Sequence, residues 1–158
     1  MSSLPSELRT PAGQLAEDRL NGLVGYQLAQ ATITTTRVFA ALVGEPFELR
    51  PVEYTLLVLI GDNPGSPSSR LAQALAVTAP NITMWIDRLV ERGLVRRRQS
   101  STDRRMQELR LSAEGTRLVA QASERLAEGE RAALEGLSGA EHAMLLELLR
   151  KVARHRAL

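Results

Sequence analysis

Residues 88–112 read RLVERGLVRRRQSSTDRRMQELRLS, and this stretch decides the fold. It predicts the end of a helix, a stop at Gly93, a short strand over 94–98, a polar turn, and a returning strand that ends at Leu111. Ser112 then has the side chain that commonly caps a following helix. A helix, a hairpin and a second helix therefore follow one another within 25 residues.

The charge of this stretch differs from that of the rest of the chain. Positions 88–110 contain eight arginines and three acids, a local charge of +5, whereas the whole chain has a net charge of only +2. A basic hairpin directly after a helix is typical of the wing of a winged helix-turn-helix that binds a polyanion. The helix would then enter the major groove, and the hairpin would place an arginine in the flanking minor groove. The alternative is a solvated charged hairpin without a ligand.

Several short motifs occur in a fixed order along this stretch and just beyond it. They are Leu89, then Gly93-Leu94-Val95, then Asp103-Arg104-Arg105, then Leu111-Ser112-Ala113-Glu114-Gly115. This order resembles the signature of the MarR family of bacterial transcriptional regulators, in which a threonine stands at the place of Ser112. Coarser similarity extends from Leu20 to the C terminus. The resemblance implies a winged helix-turn-helix flanked by N- and C-terminal dimerisation helices.

Composition narrows the class of protein. With 158 residues, 44% of them hydrophobic, the chain is long enough for one globular domain with its own core. The absence of cysteine excludes disulfides, thiolate metal sites and thiol redox switches. The first 14 residues lack the pattern of a signal peptide, and the longest apolar run, 56–60, is far shorter than the roughly 20 residues that cross a bilayer. We expect a soluble, cytoplasmic protein without a membrane partner.

Apolar periodicity predicts a mainly α fold with a small β-hairpin wing. A long first helix is expected from about residue 11 to Gly44, followed by a connector over 45–48. The second helix is expected from Pro51 through Ile60, although this apolar run is also typical of a buried strand. We assign the whole chain, 1–158, to a single MarR-type domain. Its dimerisation helices are expected at about 11–44 and 113–158, and its DNA-binding lobe at about 50–112.

Caps mark the remaining helices. Ser66 and Pro67 form an N-cap and first-turn pair for a short third helix, and Thr78 is the expected cap of a fourth. Ser112 is expected to cap a long fifth helix, and Ser138 begins a capping box before a sixth. The third and fourth helices, joined by a tight turn, form the predicted helix-turn-helix.

The fourth helix is the predicted recognition helix. Its apolar face, with Ile82, Trp85, Ile86 and Leu89, is expected to face the core, although Trp85 could instead be a ligand platform. Base reading is expected from the other side of the helix, with a phosphate near the helix N-terminus and further contacts from the hairpin. The predicted DNA-binding residues are Thr78, Asn81, Thr83, Met84, Arg88, Arg96 and Arg98, together with Asp103, Arg104 and Arg105 at the wing tip.

The roles at the wing tip follow from the family resemblance. It implies that Asp103 hydrogen-bonds the wing backbone and holds Arg105 in the minor groove, while Arg104 faces a phosphate. A match shifted by one position would exchange the two arginines. The resemblance also implies a pocket for a small aromatic carboxylate or phenol between the DNA-binding lobe and the dimerisation helices. Candidates from the first two helices are Arg19, Tyr26, Arg37 and Tyr54.

The sequence gives little support for metal binding or catalysis. His142 and His155 lie thirteen positions apart, and a metal site needs three or four converging donors, so both are interpreted as surface residues. No nucleophile elbow or phosphate loop is present, so we expect neither an enzyme nor a cofactor. Within the family, the absence of cysteine argues against a peroxide sensor, and the scarcity of histidine argues against a zinc sensor.

The predicted function is a homodimeric, sequence-specific regulator of transcription. We expect a repressor that binds a pseudo-palindromic, double-stranded DNA operator and is released by a small-molecule effector. Two alternatives remain open. A non-sequence-specific architectural DNA binder would fit the weakly basic recognition helix, and a winged-helix module for protein partners would fit an exposed Met84.

Overall fold

The computed structural model describes residues 9–99 and 107–155. Its contacts divide the chain into two units, Met1–Arg37 and Val38–Leu158, and each is described by itself. The fold is mainly helical, with one two-stranded antiparallel hairpin. The elements in chain order are α1 (Val24–Phe39), a π-helical turn (Ala40–Gly44), α2 (Glu45–Phe47), α3 (Pro51–Asp62), α4 (Ser68–Leu75), α5 (Ala79–Glu91), β1 (Val95–Gln99), β2 (Gln107–Leu111), α6 (Ala113–Ala133) and α7 (Gly139–Arg154).

The start of the first helix differs from the prediction. Residues 11–23 form turns, and α1 begins only at Val24, so a helix from about residue 11 was wrong. Gly13 and Gln14 both adopt positive φ angles, which reverse the chain and bring Arg9 into a β-bridge with Ala16. Such a turn stops a helix whatever the apolar spacing around it.

The predicted connector at 45–48 is also helical for most of its length. The helical path passes through the π-helical turn into α2, where Pro46 is tolerated because it lies in the first turn. Glu48 then ends the path in the left-handed conformation, with φ +51°, and the Leu49 amide donates to the Gly44 carbonyl at 3.0 Å. The predicted end at Gly44 was therefore about three residues early.

The next three helices match the predicted order. The run through 56–60 is helical, since it lies within α3, where Leu56, Leu57 and Ile60 are fully buried. The predicted Ser66 cap was wrong by one residue, because Pro67 is the N-cap of α4 and no side chain caps that helix. Thr78 is the N-cap of α5 as expected, although its hydroxyl makes no capping hydrogen bond.

The junction after α5 explains the Gly-Leu-Val and Leu-Ser-x-x-Gly motifs. Gly93 has φ +71°, a conformation that favours glycine, and it turns the chain from α5 toward β1. The carbonyl of the buried Leu94 accepts a hydrogen bond from the Ser112 amide at 3.0 Å. A Cβ atom on Gly115 would lie 2.1 Å from that same oxygen, so only glycine fits where α6 begins.

The last two helices begin at the predicted caps. The Ser112 hydroxyl accepts a hydrogen bond from the Gly115 amide at 2.9 Å, and Ser138 and Glu141 form a complete capping box. Their hydrogen bonds lower the pKa of the Glu141 carboxyl. The buried core extends over α3 to α6 and the hairpin, whereas α7 contributes no buried residue. No helix within residues 9–99 and 107–155 is long and apolar enough to span a membrane.

Candidate nucleic-acid interface

The recognition helix α5 is anchored by its apolar face. Ile82, Ile86 and Leu89 are at most 1% exposed, and Trp85 is half-buried against the same core. The turn that leads from α4 to α5 contains Ala76 in the left-handed conformation, with its amide bonded to the end of α4. The opposite face of α5 remains open to solvent.

The residues expected to read bases lie on this open face. Asn81, Thr83, Met84 and Arg88 are exposed, as is Thr78 at the N-cap. The Thr83 hydroxyl donates to the Ala79 carbonyl at 2.9 Å, which leaves its oxygen free to accept. These side chains can therefore meet a ligand without rearrangement of the core.

Arg88 has a second contact that the sequence did not reveal. Its guanidinium lies 3.3 Å from Oε1 of Glu53, a carboxylate that is 2% exposed. The other Glu53 oxygen accepts a hydrogen bond from the Arg50 amide at 2.8 Å, at the start of α3. Glu53 thus ties α5 to the first turn of α3, and Arg88 has a positioning role beside any contact with DNA.

Arg92 is exposed, but its guanidinium bonds to the backbone of the same chain. Its two terminal nitrogens donate to the carbonyl oxygens of Glu48, at 2.7 Å, and Phe47, at 2.8 Å. These carbonyls close α2, where the helix itself supplies no donor. The guanidinium of Arg125 stacks over the Phe47 ring, 5.2 Å from its centroid. Arg92 therefore stabilises the fold, and it belongs to the local charge of +5 but not to the predicted DNA-binding residues.

The hairpin separates its arginines onto two faces. β1 and β2 pair so that Val95 lies opposite Leu111 and Arg97 lies opposite Leu109, on the inner face. Arg96 and Arg98 point to the other face, because successive strand residues alternate. Arg97 bonds Asp87 of α5 at 2.5 Å, whereas Arg96 and Arg98 are exposed and form no ion pair with any described residue. Both are predicted DNA-binding residues, and their exposure makes them accessible to a ligand.

The base of the wing is joined to the helix-turn-helix by backbone hydrogen bonds. The Gly65 amide donates to the Leu109 carbonyl at 2.8 Å, and the Leu109 amide donates to the Ser66 carbonyl at 3.4 Å. Arg110 lies beside Glu108 at 3.4 Å. The wing-tip residues Asp103, Arg104 and Arg105 lie outside the described residues, so their assigned roles stay predictions.

Comparison with known proteins agrees with this geometry. The MarR family model matches residues 49–106, from the end of α2 to the wing. A putative transcriptional regulatory protein for the hcr operon of Thauera aromatica is 30% identical over 141 residues, which cover 89% of this chain and 85% of that protein. The chain belongs to the MarR family.

Solved structures of similar proteins extend the match over almost the whole fold. The transcriptional repressor CouR, bound to a 23-mer DNA duplex, is 31% identical, covers 88% of this chain and 98% of its own, and has a TM-score of 0.81. A probable transcriptional regulator from Pseudomonas aeruginosa is 30% identical, covers 85% of this chain and 99% of its own, and has a TM-score of 0.76. As a MarR-family member, the chain is a DNA-binding transcriptional regulator and not an enzyme.

The predicted effector residues of this MarR-family chain fall into both units. Arg19, Tyr26 and Arg37 belong to the first, and Tyr54 belongs to the second. The Tyr26 hydroxyl donates to the buried Glu17 carboxylate at 2.6 Å, and this hydrogen bond raises the pKa of Tyr26. The Tyr54 hydroxyl lies 2.9 Å from the Ser123 hydroxyl, and its ring centroid is 5.8 Å from that of Phe39. Each tyrosine thus has a partner in its own unit.

The histidines were predicted to be surface residues. His155 is exposed just after α7, and His142 is half-buried near the start of that helix. Across residues 9–99 and 107–155, no group of three or more His, Cys, Asp or Glu side chains could hold a metal ion.

Proposed function

We propose that this MarR-family regulator binds a pseudo-palindromic operator as a homodimer, represses the promoter it covers, and is released by a small aromatic or phenolic effector. The observation that best supports DNA binding is that the DNA-binding lobe has two surfaces open to solvent. The polar face of α5 is exposed although Arg88 and Asp87 have partners within the protein, and on the outer face of β1 the exposed Arg96 and Arg98 form no ion pair with a described residue. CouR, which is similar over most of its length, is a repressor bound to DNA.

The dimer is supported by the apolar side of α7. Met144, Leu145, Leu148, Leu149 and Val152 are 37–54% exposed and lie on one side of the helix. A contiguous apolar stripe of this kind on a small protein marks an interaction surface. A second copy covers it in the proposed dimer, and two-fold symmetry of the protein then requires two-fold symmetry of the operator, with half-site centres roughly 10 bp apart.

Release by an effector follows from the same symmetry. Two recognition helices fit successive major grooves only at one separation, so a ligand that binds better to another dimer geometry lowers the affinity for the operator. Arg19, Tyr26, Arg37 and Tyr54 remain the proposed contacts, since guanidinium and phenol groups suit an aromatic carboxylate or phenol. We expect substitution of these residues to weaken release without weakening operator binding.

Selection from a random-sequence DNA library tests the proposal. The protein should enrich a duplex with inverted repeats, and competition against a scrambled duplex of equal composition should give an affinity ratio of about 10³ or more. A ratio near one would instead establish an architectural DNA binder. Failure to retard any duplex at low salt would favour a module for protein partners. Footprinting on the DNA that flanks the gene would then locate the natural operator.

A further inference from the structure

Asp87 stands out on the recognition helix because it is an acid on the face proposed to meet DNA. It is half-buried, and the exposed Met84 and Glu91 lie close to it along the same side of α5. Coulomb repulsion from phosphates makes a carboxylate unfavourable there. The sequence gives no reason for it.

The structure supplies a partner for this acid in the wing. Asp87 Oδ1 accepts a hydrogen bond of 2.5 Å from the Arg97 guanidinium, which comes from the inner face of β1. Within the described residues, no other ion pair joins α5 to the hairpin. The side chains are 45% and 33% exposed, so the pair lies at the rim between helix and wing. The bond therefore bridges the two elements proposed to enter adjacent grooves.

We propose that Asp87 is a positioning residue that sets the distance between the recognition helix and the wing. It thereby raises the affinity for the operator relative to other DNA, while it lowers the affinity for DNA of other sequence. This inference rests on the proposed function. A specific site is bound only when helix and wing fit their grooves together, and a preorganised surface loses less freedom on binding. Binding to nonspecific DNA does not require helix and wing to fit their grooves together. On such DNA the Asp87 carboxylate only repels the phosphates and keeps Arg97 from contacting one.

An ion pair without a positioning role would change the affinity for the operator in the opposite direction. Exposed pairs often contribute little to stability. If the pair had no positioning role, Asp87→Asn would remove a negative charge from the DNA face and tighten binding to every duplex alike. If Asp87 positions the wing, the same change weakens binding to the operator while it tightens binding to other DNA.

The experiment measures the affinity of the full-length protein for two duplexes. One is the duplex enriched by the parent protein from a random library, and the other is a scrambled duplex of the same composition. For Asp87→Asn we expect about 3–10-fold weaker binding to the selected duplex, within the range of a surface pair with good geometry, and about 2-fold tighter binding to the scrambled one. Glu91→Gln is the matched control. It removes an acid from the same helix that forms no ion pair with a described residue, and it should tighten both alike.

A second variant, Arg97→Gln, removes the other side chain of the ion pair. It should lose at least as much affinity for the selected duplex as Asp87→Asn does, because it also leaves the Asp87 carboxylate unpaired, and the double variant should lose no more than Arg97→Gln alone, because both changes remove the same ion pair. Unchanged thermal unfolding midpoints are expected, since both side chains are partly exposed.

Three results would overturn the inference. In the first, Asp87→Asn tightens both duplexes as Glu91→Gln does. In the second, the losses from Asp87→Asn and Arg97→Gln add in the double variant, so the carboxylate acts without its partner. In the third, the parent protein enriches no duplex at all, which overturns the proposed function together with the inference. The first two leave the proposed function intact.

Discussion

Helices α5 and α7 have similar amphipathic sequences but opposite relations to the rest of the protein. In α5 the apolar side is buried, with Ile82, Ile86 and Leu89 almost inaccessible, and the polar side is open. In α7 no residue is buried, and Leu148 is 50% exposed. The apolar pattern alone does not distinguish the two. It indicates that a face will be covered, and the fold decides whether the cover comes from the same chain.

The difference assigns the two helices to two kinds of partner. The polar face of α5 adjoins a wing with free arginines, which suits DNA, whereas the stripe of α7 is apolar and suits a second copy of the chain. The predictions below address first the α7 side of this contrast and then the DNA side, in order of decreasing effect.

Changing Leu145 and Leu149 together to Asp should convert the dimer into a monomer. Operator affinity should then fall on the order of 100-fold or more, because two linked half-site contacts become independent. Sedimentation velocity at micromolar concentration and fluorescence anisotropy measure the two effects. Arg150→Asp, which changes the charge equally on the far side of α7, is the control and should leave the dimer intact. A parent protein that sediments as a stable monomer would remove the argument for a palindrome.

Single truncations in the two helices should differ in how they depend on protein concentration. Ile86→Ala leaves a cavity in the core and should lower the free energy of unfolding by about 2–5 kcal/mol at every concentration. Leu149→Ala should cost about 1–2 kcal/mol, and should flatten the rise of the unfolding midpoint with concentration. Denaturant unfolding over a hundred-fold concentration range distinguishes them. A parent midpoint that does not move over that range would argue against a covered α7.

At the wing tip, Arg105→Ala should weaken operator binding by about 1–3 kcal/mol without loss of folding or dimerisation, since a minor-groove guanidinium is lost. Asp103→Ala should have a milder effect of the same kind. The effect should be larger on a duplex with A·T flanks than on one with G·C flanks, where the minor groove is wider. Equal binding of Arg105→Ala and the parent to both duplexes would place the wing outside the groove.

The salt dependence tests which arginines face DNA. About four arginines per subunit are predicted to neutralise phosphate charge: Arg96 and Arg98 on the strand, Arg104 at a phosphate and Arg105 in the minor groove. They give a slope of log K against log salt on the order of −7 for the dimer. All eight arginines would give about −14. A slope shallower than about −2 would mean that the cluster does not contact phosphates.

Two single variants test which arginines contact phosphates, and they have the smallest expected effects. Arg98→Ala removes one contact from each subunit, so it should reduce the slope of the dimer by about two, and it should weaken binding by less than Arg105→Ala does. Arg92→Ala should leave the slope unchanged and instead lower the free energy of unfolding by about 1–2 kcal/mol, because two carbonyls at the end of α2 lose their donor. A reduced slope for Arg92→Ala would contradict its internal role.

The parts of the fold that depend on local chemistry could be predicted from the sequence. Ser112 and Ser138 cap their helices through bonds that span three residues, and Gly93 ends α5 through its own φ angle. The start of the first helix could not be read in the same way. The apolar period includes Leu15 and Leu20, but both leucines are exposed and lie after the turn that Gly13 and Gln14 form and before α1 begins at Val24.

The sequence predicts which surface of the protein meets DNA, but it does not predict the separate role of each arginine there. From the sequence, Arg88 is a predicted DNA contact, and nothing indicates that Arg88, Arg92 or Arg97 has a partner within the protein, whereas the structure shows such a partner for each of the three. The partners of Arg88 and Arg92, Glu53 and Glu48, lie tens of residues away along the chain, so no local pattern could reveal them. Charge counting therefore predicts where the interface lies, but it overestimates the charge available to that interface.

The pairing at the base of the wing has a consequence for solubility. β2 is hydrogen-bonded on one side by β1 and on the other by Gly65 and Ser66, so over residues 95–98 the outer side of β1 is paired with no other described strand. An unpaired edge invites another strand, and charged side chains along it prevent such association. We therefore expect the charged Arg96, Arg97 and Arg98 also to oppose pairing between the wings of different molecules. An alanine scan of these arginines removes that protection along with the DNA contacts, and light scattering should accompany each affinity measurement.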